Sequence, residues 1–250
     1  MKKNGLILSV IALVFVLILG GFLVYGYYQK ATYKLQRPLV SMEIKDYGTI
    51  KIELYPDKAP NTVKNFIKLI NEGYYNGLTF HRVEDMLIQG GDTAGDGTGQ
   101  TELSINGEFK ENGYENELKF ERGTLGLARQ DYTYYSSLSS DLVEKGYNSG
   151  YAQFFIMAED VEAFNGYYTA FGKVIEGMDI VDKITKLETE VETDEETGEK
   201  SQTTKPVNPP VISNITVDTF GVEYGEPETH ESFDMNSWFM NYYYGGGLSY

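Results

Sequence analysis

The 250-residue chain has no cysteine, two histidines and one tryptophan. Without thiols it can form no disulfide, cysteine nucleophile, cysteine-ligated zinc site or cysteine-linked lipid anchor. With only His81 and His230 available, a histidine-based metal centre or catalytic triad has too few members. Cations are also scarce: 21 Lys and Arg face 37 Asp and Glu, a formal charge of −16. A nucleic-acid surface needs clustered Lys and Arg, so no nucleic-acid partner is expected. The length suits one domain of ordinary size with extensions.

Charge is missing altogether from residues 4–29, and Gly5–Tyr25 is almost wholly apolar. That run exceeds the ~20 residues a membrane-spanning helix needs. It lacks an Ala-x-Ala-like cleavage site, which favours a retained anchor over a cleaved signal. Tyr25, Tyr27 and Tyr28 stand where an interfacial aromatic belt belongs. Lys2 and Lys3 precede the run, while Lys30, Lys34 and Arg37 follow it, so charge counting alone leaves orientation open. A short basic tail is easily retained in the cytoplasm. Residues 1–38 are therefore expected to form a cytoplasmic tip, a single-pass transmembrane helix and a tether. The folded part, 39–224, is then expected outside the cytoplasm, at the cell membrane.

Leu39–Lys45 and Thr49–Tyr55 alternate apolar and polar residues around Asp46-Tyr47-Gly48, a β-hairpin pattern. After Pro56–Pro60, Val63, Phe66, Ile67 and Ile70 recur at helical spacing and Gly73 supplies a C-cap. Phe80–Asp92 reads Phe-His-Arg-Val-Glu-Asp-Met-Leu-Ile-Gln-Gly-Gly-Asp. Here a fixed cation, Arg82, and an amide, Gln89, flank the apolar Met86-Leu87-Ile88, as in a small binding pocket. The glycine-rich 90–100 lacks the Gly-Lys-Ser/Thr of a phosphate loop, and Asp92 and Asp96 miss calcium-loop spacing. A second amphipathic helix is expected at 176–186, with Met178, Ile180, Val181 and Ile184 inward. Two stretches read as excursions: the Tyr- and Ser-rich 131–146, with a helical turn at Leu138–Lys145, and the charged hairpin 188–205. Val211–Thr219 closes the domain. Residues 225–250, acidic and ending in Tyr-Tyr-Tyr-Gly-Gly-Gly-Leu-Ser-Tyr, read as a disordered tail with Trp238 and the tyrosines as contact points.

Phe-His-Arg-Val followed by Ile-Gln-Gly-Gly-Asp resembles the central signature of the cyclophilin family of peptidyl-prolyl isomerases. Ala-Pro-Asn-Thr-Val-x-Asn-Phe at 59–66, Arg-Gly-Thr-Leu-Gly-Leu-Ala-Arg at 122–129, Gln-Phe-Phe at 153–155 and Phe-Gly-Lys-Val at 171–174 extend the likeness over about 39–224. The resemblance implies a mainly β fold, a closed eight-stranded antiparallel barrel capped by two helices. It also implies cis/trans isomerisation of X–Pro bonds without cofactor or metal. The partners implied are proline-containing peptides, unfolded or exported proteins, and cyclosporin-type ligands. Carried over, Arg82 is the donor to the prolyl nitrogen and Gln89 holds substrate backbone. Phe80, Met86, Leu87, Phe155, Phe164 and Tyr168 line the proline pocket. Ala128, Arg129, Gln130 and Gln153 border the groove, and Thr98 and Gly99 edge a second pocket. His81 and Phe154 read as core. The chain departs from the family pattern in a segment between Arg82 and Gln89 one residue shorter and without its Pro-Gly. It also has Met86 for an aromatic, Ala163 for a tryptophan or histidine, and Tyr151-Ala152 before Gln153. A peptide-binding module or holdase with little turnover is the alternative.

Overall fold

β1 (Leu39–Ile44) and β2 (Gly48–Leu54) bury every second side chain, the period of a strand with one face inward. Val40, Met42 and Ile44 thereby join Ile50, Ile52 and Leu54 in the core. The computed structural model describes residues 13–25, 36–99, 101–193 and 199–245. It divides into two units, Met1–Gln36 and Arg37–Tyr250. In the first, residues 13–25 are helical. No helix among the described residues is long and apolar enough to cross a membrane. Residues 4–12 and 26–28 of the expected span lie outside the described residues, as do 194–198 and 246–250.

α1 (Pro60–Asn71) buries Val63, Phe66, Ile67 and Ile70, as its spacing predicts. Phe66 sits among Tyr75, Phe154 and Phe171 at centroid distances of 5.1, 5.6 and 5.3 Å. Proline suits a first helical position, yet the N-cap residue, Ala59, has no side-chain acceptor for the first N–H groups. Glu108 provides one from a distant loop. Its carboxylate accepts from the backbone N–H groups of Asn61 (2.9 Å) and Thr62 (2.8 Å) and from the Thr62 hydroxyl (2.7 Å). Negative charge there also complements the helix dipole. Burial still pushes the Glu108 carboxyl above its ordinary range, against these hydrogen bonds.

The remaining strands are β3 (Thr79–Glu84), β4 (Leu87–Asp92), β5 (Leu103–Ser104), β6 (Thr124–Leu127), β7 (Phe154–Met157), β8 (Thr169–Glu176), β9 (Thr189–Thr193), β10 (Lys200–Pro206), β11 (Ile212–Asp218) and β12 (His230–Glu231). Three further helices follow α1: α2 (Asp141–Tyr147), α3 (Met178–Ile184) and α4 (Met235–Tyr244). Eight strands form one curled antiparallel sheet in the order β11-β1-β2-β8-β6-β7-β4-β3. The expected closed barrel is not formed as a continuous ladder. β11 and β3 remain edges, joined by one bridge, Thr79 to Val211, and by hydrogen bonds from Phe80 N to Pro210 O (2.9 Å) and Ile212 N to Leu78 O (2.8 Å). Pro209 and Pro210 lack the N–H that a ladder at this seam would need. The β9–β10 hairpin, on the expected 188–205 excursion, lies beside the free run of β3, covering an edge that could otherwise pair with another chain.

Within the expected tail, β12 and α4 are regular, while residues 226–229 and 232–234 are irregular. Glu226 pairs with Lys68 on α1 (2.8 Å), and the Asn61 side chain bonds both backbone groups of Glu228. β12 then pairs with β5, and Asp234 caps α4 by accepting from the N–H groups of Asn236 and Ser237. The tail has little local periodicity; its order comes from backbone pairing and a few long-range aromatic contacts.

Candidate active site

The sheet register places four residues side by side on adjacent strands. Arg82 is opposite Gln89, Gln89 opposite Phe155, and Phe155 opposite Gly126. Residues in such a lateral row share one face of a sheet. The neighbouring row, Ile88, Ile156 and Leu125, faces the core, so the first row lies on the opposite, outer face of the sheet. Gly126 is required in it. A Cβ there would stand 2.3 Å from the Phe155 ring and 2.7 Å from that of Phe120.

Phe155 is buried to 3% exposure and is the floor of an aromatic pocket. It stacks on Phe120 at 5.5 Å and meets Phe164 and Tyr168 edge-on at 5.8 and 5.7 Å. Met86, Phe164 and Tyr168 are half-buried around it, while Leu87 lies underneath. The Arg129 guanidinium lies over the Tyr168 ring at 4.5 Å and donates to Tyr167 O, fixing that rim.

At the other side of the floor, Arg82 is oriented by two partners. Its Nε donates to Glu84 Oε1 (2.7 Å), Nη2 also contacts that oxygen, and Nη1 donates to Gln89 Oε1 (3.0 Å). The Gln89 amide donates to Gln153 Oε1 (2.9 Å), whose own amide reaches Gly97 O (3.3 Å). This chain of amides separates the aromatic pocket from a second cavity of about 220 Å³, which Gln89, Gln153, Ala128, Gln130 and Gly99 help line. Asp92 braces the glycine loop beside it, accepting from the N–H groups of Asp96 and Gly97.

Most residues expected at the site fall in this ring cluster, in the Arg82–Gln89–Gln153 chain or on the wall of the cavity. Phe80 does not: it is wholly buried in the main core, 6.0 Å from Phe154. The reason is a β-bulge. Phe80 pairs with Gly90 and Arg82 with Gln89, leaving His81 as an extra residue, so alternation breaks and Phe80 and Arg82 face opposite sides. His81 and Phe154 are buried, as read from sequence. Thr98 is exposed and bonds Asp96 instead of lining the cavity. Phe120, Glu84 and Gly126 were not identified from sequence. Phe120 lies in the charged run Lys119–Arg122 without periodicity, whereas Glu84, two residues from Arg82 on one strand, had a detectable spacing.

The fold and groove define a class: a curled β-sheet protein with an apolar, ring-floored peptide pocket beside one oriented cation. A family model described as "Cyclophilin type peptidyl-prolyl cis-trans isomerase/CLD" matches residues 39–217. The Bacillus subtilis peptidyl-prolyl cis-trans isomerase B is 38% identical over 143 residues, covering 57% of this chain and 87% of that protein. A probable peptidyl-prolyl cis-trans isomerase of Brucella suis is 38% identical over 160 residues, covering 59% and 71%. A crystal structure of a Cryptosporidium parvum cyclophilin-type isomerase, solved with the dipeptide Ala-Pro, has TM-score 0.55 and 27% identity, covering 72% of this chain and 98% of that one. The chain belongs to the cyclophilin-type peptidyl-prolyl cis-trans isomerase family.

Proposed function

We propose that this chain isomerises X–Pro bonds, holding the proline ring on Phe155 and directing Arg82 at the prolyl nitrogen. The observation that carries this reading is the lateral row Arg82–Gln89–Phe155–Gly126. The barrier, about 18–20 kcal/mol, is amide resonance, so no covalent bond need be broken. Twisting the amide returns a lone pair to nitrogen. A guanidinium carries five N–H groups, and three are occupied by Glu84 and Gln89. One N–H on each Nη remains for substrate. Gln89 is poised to hold substrate backbone, and the ring floor takes the pyrrolidine. Uncatalysed exchange takes tens to hundreds of seconds, so acceleration is readily measured. In magnetisation-exchange NMR on a proline tetrapeptide, catalytic amounts of the purified chain should speed cis/trans exchange. Binding without acceleration would sink the enzymatic reading. One observation favours the holdase alternative, the prior engagement of Arg82 by Glu84.

We further propose that the chain is anchored, with the isomerase domain outside the cytoplasm acting on exported proteins. Support comes from the charge-free residues 4–29; the described helix, 13–25, covers only part of that run. Protease added to intact protoplasts should digest the domain, and full protection would overturn the orientation.

A further inference from the structure

The family match ends at residue 217, yet the chain beyond it returns to the groove. Residues 226–234 run from α1 to the glycine-loop side, held at several independent points. Beyond the Lys68 and Asn61 contacts and the β12–β5 pairing, Ser232 N donates to Glu102 O (2.9 Å), and the Ser232 and Ser104 hydroxyls bond at 2.7 Å. The next residue, Phe233, meets Tyr132 edge-on at 5.8 Å, and Lys145 of α2 lies over the Phe233 ring at 5.8 Å. Tyr132 and Lys145 belong to the other excursion, 131–146. Further along, Phe239 of α4 packs on Tyr135 at 5.2 Å. Two segments about a hundred residues apart are thus clasped together.

Both segments line the second cavity. Tyr132, Ser232 and Phe233 form part of its wall together with Gln89 and Gln153, and Gln89 also bonds Arg82 beside the proposed proline site. We propose that the C-terminal segment is part of the substrate site, and that its Phe233 with Tyr132 makes the chain prefer peptides carrying an aromatic side chain close to the proline. The size fits: about 220 Å³, where a cavity of about 150 Å³ already holds benzene. The geometry fits as well, because a third ring can continue the edge-to-face arrangement of Tyr132 and Phe233. Gln130, Gln153 and Ser232 add polar groups to the same wall. Arg129 and Asp92 both line the cavity, with Glu102, Glu231 and Asp234 on the surrounding chain, so its charge is mixed and the aromatic rings carry the preference.

The inference shares with the isomerase reading only that one groove holds the peptide, and affinity separates the two. The test uses the full chain and pentapeptides sharing one X–Pro bond, with Tyr, Phe, Ala or Glu at one flanking position, scanned on both sides of the proline. Dissociation constants come from NMR titration and exchange rates from the same samples. At one position, Tyr and Phe peptides should bind about two- to tenfold tighter than the Ala peptide, the range of an added aromatic pair. Phe233→Ala and Tyr132→Ala should each bring that ratio close to one, while Phe233→Leu retains part of it. An aromatic preference unchanged in both alanine variants, or none in the wild type, overturns the inference. So does an equal loss for all peptides, which makes the segment a structural support. Binding without accelerated exchange would remove the isomerase reading and leave the affinity ratio to decide this one.

Discussion

Glu84 lies two residues from Arg82 on β3, and its carboxylate holds the Nε side of the guanidinium. If the two free N–H groups on Nη1 and Nη2 act on substrate, Glu84 is a positioning residue, and Glu84→Ala leaves Arg82 tethered through Gln89 alone. The Arg82 side chain is 40% exposed and that of Glu84 20%, so solvent screens the pair. A pair of this kind is worth about 0.2–1 kcal/mol. At 1.36 kcal/mol per tenfold, losing it slows catalysis by at most about fivefold. The loss should fall on kcat, with KM nearly constant, because the aromatic floor is untouched. Glu84→Gln keeps an acceptor for Nε and should recover part of the rate. The assay is exchange NMR over a range of peptide concentrations, with melting temperatures as a control. An unchanged kcat in Glu84→Ala would refute the positioning role. A rise in kcat would show that Glu84 instead withholds Arg82 from substrate.

Two further outcomes follow from buried ionisable groups. Glu108→Ala removes the acceptor for the first N–H groups of α1 and should cost about 1–3 kcal/mol in denaturant unfolding, the penalty for buried donors left unpaired; Glu108→Gln should cost less, and a neutral Glu108→Ala would contradict the capping role. Burial lowers the His81 pKa, outweighing the opposing effect of Asp92. The folded state therefore stays neutral where the unfolded chain, with pKa about 6.5, binds a proton. That contribution is present above the unfolded value and is lost as pH falls below it toward the folded value. Unfolding midpoints at pH 7.5 and 5.5 should converge in His81→Gln, and an equal acid decline in both proteins would assign it elsewhere.

Much of the fold was legible because its signals are local. The alternation of β1 and β2 and the stripe Val63, Phe66, Ile67, Ile70 state their buried faces directly. The Arg82–Gln89 stretch pointed to a small pocket, whereas Phe155 was placed beside it only through the family resemblance of Gln-Phe-Phe at 153–155. What escaped depends on register or distance. One extra residue at His81 turned Phe80 inward, and no alternation rule counts a bulge in advance. Glu108 reaches α1 from a loop 46 residues away, where a carboxylate looks like any surface charge. Phe233 and Tyr132 meet through a long loop closure, a contact that composition and local periodicity do not announce.

Arg82 tests the central claim most directly. A charge-assisted hydrogen bond that strengthens as the prolyl nitrogen pyramidalises is worth roughly 1.5–3 kcal/mol, and only such differential stabilisation raises the rate. Arg82→Ala should then lower kcat/KM by about one to two orders of magnitude with little change in melting temperature. Arg82→Lys, which keeps the charge but loses the planar fork, should recover only part of the rate. A folded Arg82→Ala protein with undiminished kcat/KM would contradict the mechanism.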